Sequence, residues 1–303
     1  MNDSADDWLQ ERQKDDLRVD GALLPGTAVG ACRIVALLGR GGFAEVYRGE
    51  DADGRPVAIK ILHRLDDRSR ARFEQETRIL LQIRHPNFPR MLSFGSCGER
   101  PYVVMEFLRG LELPHGDRPV ADFLLTLISA VDELHRHGYV HRDIKPANVL
   151  ARDDGEPVLI DFGLACPVSK ALREKNALSV DGDRRMTVGT PGYSAPEQFS
   201  GQATGCEADV HALGALIRDC LRGREPKCWQ RILLKATNSN PDVRYPTARD
   251  LGRAIRRRHA WRNGLILAAG AALLAVASLV VAEFVQSARV ESMPKELPRS
   301  DRI

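Results

Sequence analysis

The stretch His141-Arg142-Asp143-Ile144-Lys145-Pro146-Ala147-Asn148 places a carboxylate, an ammonium group and a carboxamide within six residues. A second motif, Asp161-Phe162-Gly163, comes directly after the short apolar run from Val158 to Ile160, which predicts a strand. Two carboxylates and an amide that converge on one cleft suit magnesium, which prefers oxygen ligands and usually keeps substrate phosphates in its shell. Taken singly, each acid has a simpler explanation, since Asp143 could cap a turn and Asp161 could be an ordinary loop residue.

Upstream, two predicted strands are separated by the glycine-rich stretch Leu38-Gly39-Arg40-Gly41-Gly42-Phe43-Ala44-Glu45-Val46. Glycines let the backbone approach a phosphate chain closely and offer N–H groups to it, although such a hairpin is often only a tight turn. Further on, Val57-Ala58-Ile59-Lys60 puts a lysine inside an apolar strand, where an ammonium group is costly unless an anion meets it. Glu76 on the following predicted helix, or the phosphates of a nucleotide, would supply that anion.

The hydrophobic pattern changes character along the chain. Short apolar runs broken by glycines predict strands at Ala31 to Leu38, Val57 to Leu62 and Tyr102 to Phe107. A single helix, Ser69 to Ile83, is predicted among them. Later helices are predicted at Ala121 to His135, Val210 to Leu221 and Trp229 to Thr237. A strand-rich first part followed by a helix-rich second part predicts two lobes with a cleft between them.

In kind and order, these motifs resemble those of the protein kinase family, and the bacterial serine/threonine kinases within it are the most similar. The resemblance covers residues 28–258 and implies an α+β, two-lobed fold with a small β-rich N-lobe and a larger helical C-lobe. It also implies ATP as cosubstrate and Mg²⁺ as the metal, with Mn²⁺ as an alternative. Protein substrates that carry serine or threonine hydroxyls are implied as partners.

The resemblance implies a role for each polar residue of the cleft. Lys60 would contact the α- and β-phosphates while paired with Glu76. Asn148 and Asp161 would hold the metal. Asp143 would act as the catalytic residue that accepts the proton of the substrate hydroxyl.

The same resemblance implies how the nucleotide is held. Lys145 is similar to a lysine that serine/threonine kinases place near the γ-phosphate and that tyrosine kinases lack. Met105 would stand at the back of the adenine pocket, and Glu106 and Leu108 would offer it backbone hydrogen bonds. Ala44 departs from the family, which often has a third glycine there. The full implied nucleotide set is Leu38, Gly39, Arg40, Gly41, Gly42, Phe43, Ala44, Glu45, Val46, Ala58, Lys60, Met105, Glu106, Leu108, Asn148, Leu150 and Asp161.

Four further matches lie in the second half of the chain. Gly189-Thr190-Pro191-Gly192-Tyr193 resembles the loop that binds the protein substrate, and Ala195-Pro196-Glu197 follows it. Asp209 would brace the catalytic loop. Arg244 resembles the family's buried partner of Glu197.

An activation-segment phosphosite is also predicted. In the family, an arginine at the position of Arg142 usually pairs with a phosphate on the segment that here runs roughly from Asp161 to Glu197. Of the hydroxyls in the central part of that segment, Thr187 lies nearest the substrate loop, so it is the predicted site of autophosphorylation. Thr190 is less suited, because the resemblance gives it a structural contact with the catalytic loop.

Charge and composition indicate the class of partner, the character of the N-terminal segment and the redox compartment. A net charge of +3 over 303 residues gives no global attraction to nucleic acid, so no nucleic-acid partner is expected. Residues 1–27 begin with an acidic stretch that has few apolar side chains, which predicts a flexible, solvated tail. The six cysteines form no Cys-x-x-Cys pair, which favours reduced thiols in a reducing compartment.

Near the C-terminus, residues 264–284 begin with Gly264 to Ala282, a run without a charged residue, which predicts a single transmembrane helix. A buried core helix is the alternative, but it would normally carry a polar stripe. Arginines in and before the basic juxtamembrane segment 259–263 favour a cytoplasmic kinase domain, with residues 285–303 as a short tail on the other side. Membrane lipid is therefore an expected partner, in the cell membrane. Small residues at four-residue spacing, together with the kinase domain itself, would allow a homodimer.

The predicted function is a membrane-anchored signalling kinase that transfers the γ-phosphate of ATP to serine or threonine hydroxyls, including its own. The alternative is a pseudokinase that binds nucleotide and acts as a scaffold, against which stands the presence of every catalytic residue. A third hypothesis, a lipid-binding protein that uses the basic stretch Arg253 to Arg258, would supplement the first.

Overall fold

A computed structural model describes residues 22–110, 117–168, 189–200, 204–221, 226–258, 260 and 273–278. The chain forms two compact units, Met1–Ile255 and Arg256–Ile303. In the second unit, residues 273–278 are helical. Within the described residues, no helix combines the length and the apolar character needed to cross a bilayer. The rest of the predicted transmembrane segment, 264–284, and most of the acidic tail lie outside the described residues.

The N-lobe is built on one six-stranded antiparallel sheet. Its strands are β1 (Ala28–Val29), β2 (Cys32–Arg40), β3 (Ala44–Glu50), β4 (Pro56–Leu62), β5 (Met91–Cys97) and β6 (Arg100–Glu106). Their order across the sheet is β1-β2-β3-β4-β6-β5. Three of these strands confirm the strands predicted from apolar runs. Tyr47, Ile59 and Ile61 are fully buried between the strands, so the alternating pattern gives the lobe a core of its own.

Helix α1 (Asp67–Gln82) crosses this sheet and confirms the predicted helix. It begins two residues before the predicted start at Ser69, because Asp66 caps it: the Asp66 carboxylate accepts from the Ser69 backbone N–H at 3.0 Å. Phe73 and Ile79 are buried, so they mark the face of the helix that packs against the rest of the protein. Glu76 is buried on the same helix, which carries its carboxylate toward the cleft.

The C-lobe is mainly helical. Its helices are α2 (Asp117–Arg136), α3 (Pro196–Ser200), α4 (Cys206–Cys220), α5 (Lys227–Ala236) and α6 (248–258). Helices α2, α4 and α5 confirm the three predicted later helices, although α4 starts four residues before Val210. Trp229 and Leu213 are fully buried in the shared core. At Gly214 a side chain would meet Thr237 and Ala236 at 2.7 and 3.0 Å, so glycine permits the close approach of α4 to the end of α5.

Short strands place the sequence motifs at one end of this helical core. They are β7 (Arg109–Gly110), β8 (Tyr139–Val140), β9 (Val149–Ala151), β10 (Pro157–Leu159) and β11 (Cys166–Pro167). Strand β9 pairs with both β10 and β7, and β11 pairs with β8. The loop 141–148 therefore runs between β8 and β9, and Asp161 follows β10 closely. Both motifs consequently face the end of β6, where the chain passes from one lobe to the other.

A buried ion pair ties the C-lobe together. Arg244 forms a two-pronged pair with Glu197, at 2.6 Å from Nη1 to Oε1 and 2.8 Å from Nη2 to Oε2. Both side chains are almost completely buried. The guanidinium also donates to the carbonyl oxygens of Asn238, Glu207 and Ser239. The contact between Arg244 and Glu197 is the one that the resemblance implied.

Replacing Glu197 with alanine should lower the free energy of unfolding by about 3–5 kcal/mol, because it leaves the Arg244 charge buried without its counter-ion. The matched control is Asp132→Ala, which removes the carboxylate from the more exposed pair between Asp132 and Arg249 (2.9 Å). That control should cost about 1 kcal/mol or less. Urea titrations followed by tryptophan fluorescence would measure both values. Equal losses in the two variants would contradict the structural role given to the buried pair.

Candidate active site

The loop 141–148 is held in place by one buried carboxylate, that of Asp209. Asp209 on α4 is fully buried, and its Oδ2 and Oδ1 accept from the backbone N–H groups of His141 and Arg142, each at 2.8 Å. His135 on α2 completes the shell, with Nε2 at 2.9 Å from Oδ2. Arg142 has a φ of 69°, in the left-handed region that costs a residue with a side chain. Asp209 thus accepts from both N–H groups that flank this strained conformation, which agrees with the bracing role that the resemblance implied for it.

Asp143 lies beyond this anchor, at the centre of a hydrogen-bond network. Its Oδ2 accepts from Lys145 Nζ at 2.8 Å and from Asn148 Nδ2 at 3.0 Å. Its Oδ1 accepts from the Thr190 hydroxyl at 2.8 Å, and Lys145 Nζ donates to the same hydroxyl oxygen. The network brings one carboxylate against the start of the predicted substrate loop. A hydroxyl donor already contacts that carboxylate, so a substrate hydroxyl could approach it in the same way.

Lys60 joins the two sides of the cleft. Its Nζ lies 2.7 and 2.6 Å from the two oxygens of Glu76 and 3.1 Å from Oδ1 of Asp161. Burial alone would lower the pKa of Lys60, but the charges of Asp161 and Glu76 outweigh it and the pKa is raised. The Lys60 charge in turn lowers the pKa of Asp161, against the effect of burial. The site therefore holds a permanent cation beside an ionised carboxylate.

A cavity of about 660 Å³ separates the lobes at this point. It is lined by every residue of the implied nucleotide set except Glu45. Glu76, predicted as a catalytic residue that pairs with Lys60, lines it as well. Residues that the sequence argument missed also line it: Pro89, Phe107, Gly110, Pro146, Ala147, Val149 and Ile160. Several of these adjoin motif residues, as Ile160 adjoins Asp161, and that adjacency was the signal that could have found them.

Glu45 points away from this cavity. Its carboxylate is buried and accepts from the Tyr47 hydroxyl at 2.6 Å and from Arg100 at 2.9 Å, while Arg40 lies at 3.3 Å. Side chains alternate along a strand, so when Ala44 and its second neighbour face the cavity, Glu45 faces the opposite side. The side-chain position therefore does not support the implied contact of Glu45 with a nucleotide, and only its backbone could take part.

The glycine-rich loop lies closed over the cavity. The Phe43 ring packs against Gly163, where a β-carbon would meet the ring at 2.8 Å. Lys60 Nζ lies 5.4 Å from the centre of the same ring. His63 Nε2 donates to the Gly41 carbonyl at 3.0 Å and holds the loop from outside. Gly163 is thus required for the close approach of Phe43.

Residues 32–247 match the family model described as "Protein kinase domain". The chain belongs to the protein kinase family. It is 33% identical over 235 residues to a probable serine/threonine-protein kinase PknB of Lactococcus lactis, a match that covers 70% of this chain and 36% of the relative. It is 39% identical over 219 residues to the DNA damage-responsive serine/threonine-protein kinase RqkA of Deinococcus radiodurans, covering 67% and 32%. It is 32% identical over 234 residues to the serine/threonine-protein kinase PknE of Mycobacterium bovis, covering 73% and 40%. In these comparisons this member of the family spans between about a third and two fifths of each relative's length.

Two side-chain oxygens, one from Asp161 and one from Asn148, would be the protein ligands of the metal in this kinase fold. Within the described ranges, no group of three or more His, Cys, Asp or Glu side chains is placed to hold a metal. Asp161 and Asn148 both line the cavity, and because Asn148 Nδ2 donates to Asp143, its Oδ1 is the atom that could ligate a cation. Two protein oxygens, completed by phosphate and water, fit the way proteins bind Mg²⁺. The residues present therefore fit the implied metal.

A second cavity of the kinase, about 360 Å³, lies between α1 and the turn that follows Gly163. Its lining includes Arg68, Arg72 and Arg142, and we call it the basic cavity. The pKa of Arg72 is lowered, first by burial and then by the charges of Arg68 and Arg142. Cations held close enough to oppose each other's charge form a site that an anion would stabilise. Thr187 and the centre of the activation segment lie outside the described residues.

His135 should give the kinase a measurable pH dependence of stability. Burial alone would lower the pKa of this imidazole, but the hydrogen bond and charge of Asp209 outweigh it and raise the pKa to about 10. A pKa raised above its unfolded value of about 6.5 stabilises the fold fully below pH 6.5. This stabilisation is lost progressively as the pH rises toward 10.

Between pH 6.5 and 8.5, the free energy of unfolding should therefore fall with a slope of up to about 1.4 kcal/mol per pH unit. His135→Gln should flatten that slope, whereas His137→Gln, at a more exposed position two residues further along the chain, should keep it. Urea titrations at half-unit pH steps would measure the slopes. Parallel curves for the wild type and His135→Gln would show that the buried pair does not carry the dependence.

Proposed function

We propose that this chain is an ATP-dependent protein serine/threonine kinase. One observation carries the proposal: Lys60, Glu76, Asp161, Asn148 and Asp143 are brought together around a single cleft from four separate stretches of the sequence, with Lys60 bonded to Glu76 and Asp161 and Asn148 bonded to Asp143. The relatives named above are serine/threonine kinases by name. A nucleotide-binding scaffold without catalysis is disfavoured, because such a scaffold would not need Asp143.

The chemistry follows from what each group can do. Lys60, held by Glu76, would bind the phosphates with its permanent charge, and Asn148 and Asp161 would hold Mg²⁺. The metal, when bound, supplies charge neutralisation on the transferred phosphoryl group. Asp143 would orient the substrate hydroxyl and accept its proton. Lys145, at 2.8 Å from Asp143, would add a positive charge beside the reacting oxygen.

The Lys145 contacts favour serine and threonine as acceptors. Its ammonium group donates to Asp143 and to the Thr190 hydroxyl. Asp143, Lys145 and the start of the predicted substrate loop are therefore held together by hydrogen bonds. A lysine here is the feature that the resemblance links to serine/threonine kinases.

Asp143→Asn should lower kcat by a factor on the order of 10² or more and leave the affinity for ATP nearly unchanged, because it removes the base while the phosphate-binding groups remain. Asp53→Asn, in an exposed turn where Asp53 pairs with Arg55 at 2.8 Å, is the matched control and should retain full activity. Initial rates with radiolabelled ATP and a generic protein substrate would give the values. Near-normal turnover by Asp143→Asn would refute the assignment of the base.

We further propose that phosphorylated Thr187 is the anion for the basic cavity. The proposal is supported by the convergence of Arg68 and Arg72 from α1 with Arg142 from the catalytic loop. Arg142 also donates from Nε to the Leu164 carbonyl at 2.9 Å, which ties this cavity to the start of the activation segment. A phosphate there would interact favourably with the positive charges of Arg68, Arg72 and Arg142 and would order the segment for substrate binding.

Thr187→Ala should reduce kcat/KM for protein substrate by about tenfold or more, whereas Ser179→Ala in the same segment should have little effect. Arg72→Gln should reproduce part of the loss without preventing phosphorylation. Mass spectrometry of the active enzyme would locate the phosphate. An unmodified Thr187, together with full activity of Thr187→Ala, would contradict the proposal.

A membrane anchor is proposed on the sequence of residues 264–284. The support is the uncharged run from Gly264 to Ala282, the arginines before it, and the need of a kinase for cytoplasmic ATP. Only residues 273–278 of this segment are described, and they are helical. The kinase domain would then lie in the cytoplasm, with lipid around the helix and residues 285–303 outside. Homodimers formed through that helix or through the kinase domain would favour phosphorylation in trans.

The topology can be tested with single cysteines in a cysteine-free chain. A cysteine at position 300 should react with an impermeant thiol reagent in intact cells, because it would lie outside the membrane. A cysteine at position 4 should stay unlabelled until the cells are opened. The reverse labelling pattern, or extraction of the chain by alkaline carbonate, would rule out the proposed arrangement.

A further inference from the structure

A single guanidinium group connects both lobes behind the nucleotide cavity. Arg152 follows β9, and its Nε and Nη2 donate to the Glu106 carboxylate at 3.2 and 2.8 Å. Nη2 also donates to the Phe88 carbonyl at 3.0 Å, and Nη1 donates to the Pro86 carbonyl. One C-lobe side chain therefore binds the end of β6 and the connection between α1 and β5 at the same time.

The first partner, Glu106, is the last residue of β6, where the chain crosses between the lobes. Its backbone N–H donates to the Arg90 carbonyl at 3.0 Å, and its Oε1 accepts from the Arg90 N–H at 2.8 Å. With Arg152 on its other face, the carboxylate is fixed from two directions and is largely shielded from solvent. Glu106 also lines the nucleotide cavity. Any change in its side-chain contacts would therefore alter the position of the backbone that faces the adenine.

The second partner, Phe88, packs close to the turn that carries Asp161. Phe88, whose carbonyl Arg152 holds, packs edge-on against Phe162 with ring centres 4.9 Å apart. Phe162 follows Asp161 directly. The adjacent Asn87 anchors the same connection to β10, since its Nδ2 donates to the Pro157 carbonyl at 2.7 Å. Arg152 thus contacts Glu106 directly, and through Phe88 it is connected to Phe162 in the turn that follows Asp161.

We propose that Arg152 is a positioning residue for nucleotide binding, which fixes the end of β6 and residues 86–88 relative to each other. It touches no reacting atom, so it acts through Glu106 and Phe88. An arginine is needed because its planar group makes four directed bonds to three partners, which the compact ammonium of lysine cannot reproduce. The inference rests on the proposed function to the extent that ATP is taken as the ligand.

A neighbouring ion pair provides a matched control. Arg109 on β7 pairs with Asp153 at 2.9 Å, so it too links the segment after β6 to the turn after β9. Both of its side chains are largely exposed, at 58% and 85%. A pair of this kind contributes little, because water and salt screen it. If a bridge between these two segments were all that mattered, Arg109 and Arg152 would be equivalent.

The test uses the full-length chain and measures the dissociation constant for Mg²⁺-ATP by titration calorimetry, together with kcat, KM for ATP and the unfolding midpoint. Arg152→Ala and Arg152→Lys should each weaken ATP binding by about fivefold to twentyfold, with kcat changed by no more than about twofold. Arg109→Ala should bind ATP like the wild type. Glu106→Gln should weaken binding in the wild-type background and add little in the Arg152→Ala background, because the two changes remove the same contact.

Wild-type affinity in Arg152→Lys, or a lower unfolding midpoint in Arg152→Ala without any loss of ATP affinity, would overturn the inference. Additive effects of Glu106→Gln and Arg152→Ala would also overturn it. The proposed kinase activity is judged separately, by phosphate transfer from the wild-type chain. A wild type that binds ATP but transfers no phosphate would refute the activity, while the binding comparison would still decide the role of Arg152.

Discussion

The buried carboxylate of Asp209 is the constraint on which the active site depends. It is fully desolvated, and it remains ionised because two backbone N–H groups and the His135 imidazole surround it. Those N–H groups belong to the two residues just before Asp143. The position of Asp143 is therefore set by a residue in the first turn of α4, and two hydrogen bonds connect the helical core to the loop 141–148.

The charged side chains of the cleft form ion pairs with one another. Lys60 lies between Glu76 and Asp161, and Lys145 lies against Asp143. In a partly buried site, such pairing holds each long side chain in one place and limits the reorganisation needed on binding. These ion pairs hold Lys60 beside Glu76 and Asp161, and Lys145 beside Asp143, in defined positions.

Sequence patterns predicted three strands of the N-lobe sheet, strand β10, helices α1, α2, α4 and α5 and most of the cleft, because alternation and motif order report on local structure and on shared chemistry. They did not predict which way Glu45 points, since the motif places it within a loop while the alternation of β3 turns its side chain to the opposite face. Nor did they identify Arg152 or His135. Their partners lie far away in the chain, and a single arginine or histidine carries no spacing signal that distinguishes a buried contact from a solvated one.

Arg142 occupies a backbone conformation in which glycine would be at ease. For a residue with a side chain this conformation costs roughly 1–2 kcal/mol, while glycine would cost about 0.5–1 kcal/mol through the added freedom of the unfolded chain. The backbone alone thus gives no reason for an arginine here. The guanidinium supplies that reason, because it binds the Leu164 carbonyl and lines the basic cavity. At this position the residue that the backbone conformation favours differs from the residue that the side-chain contacts favour, and the chain carries the second.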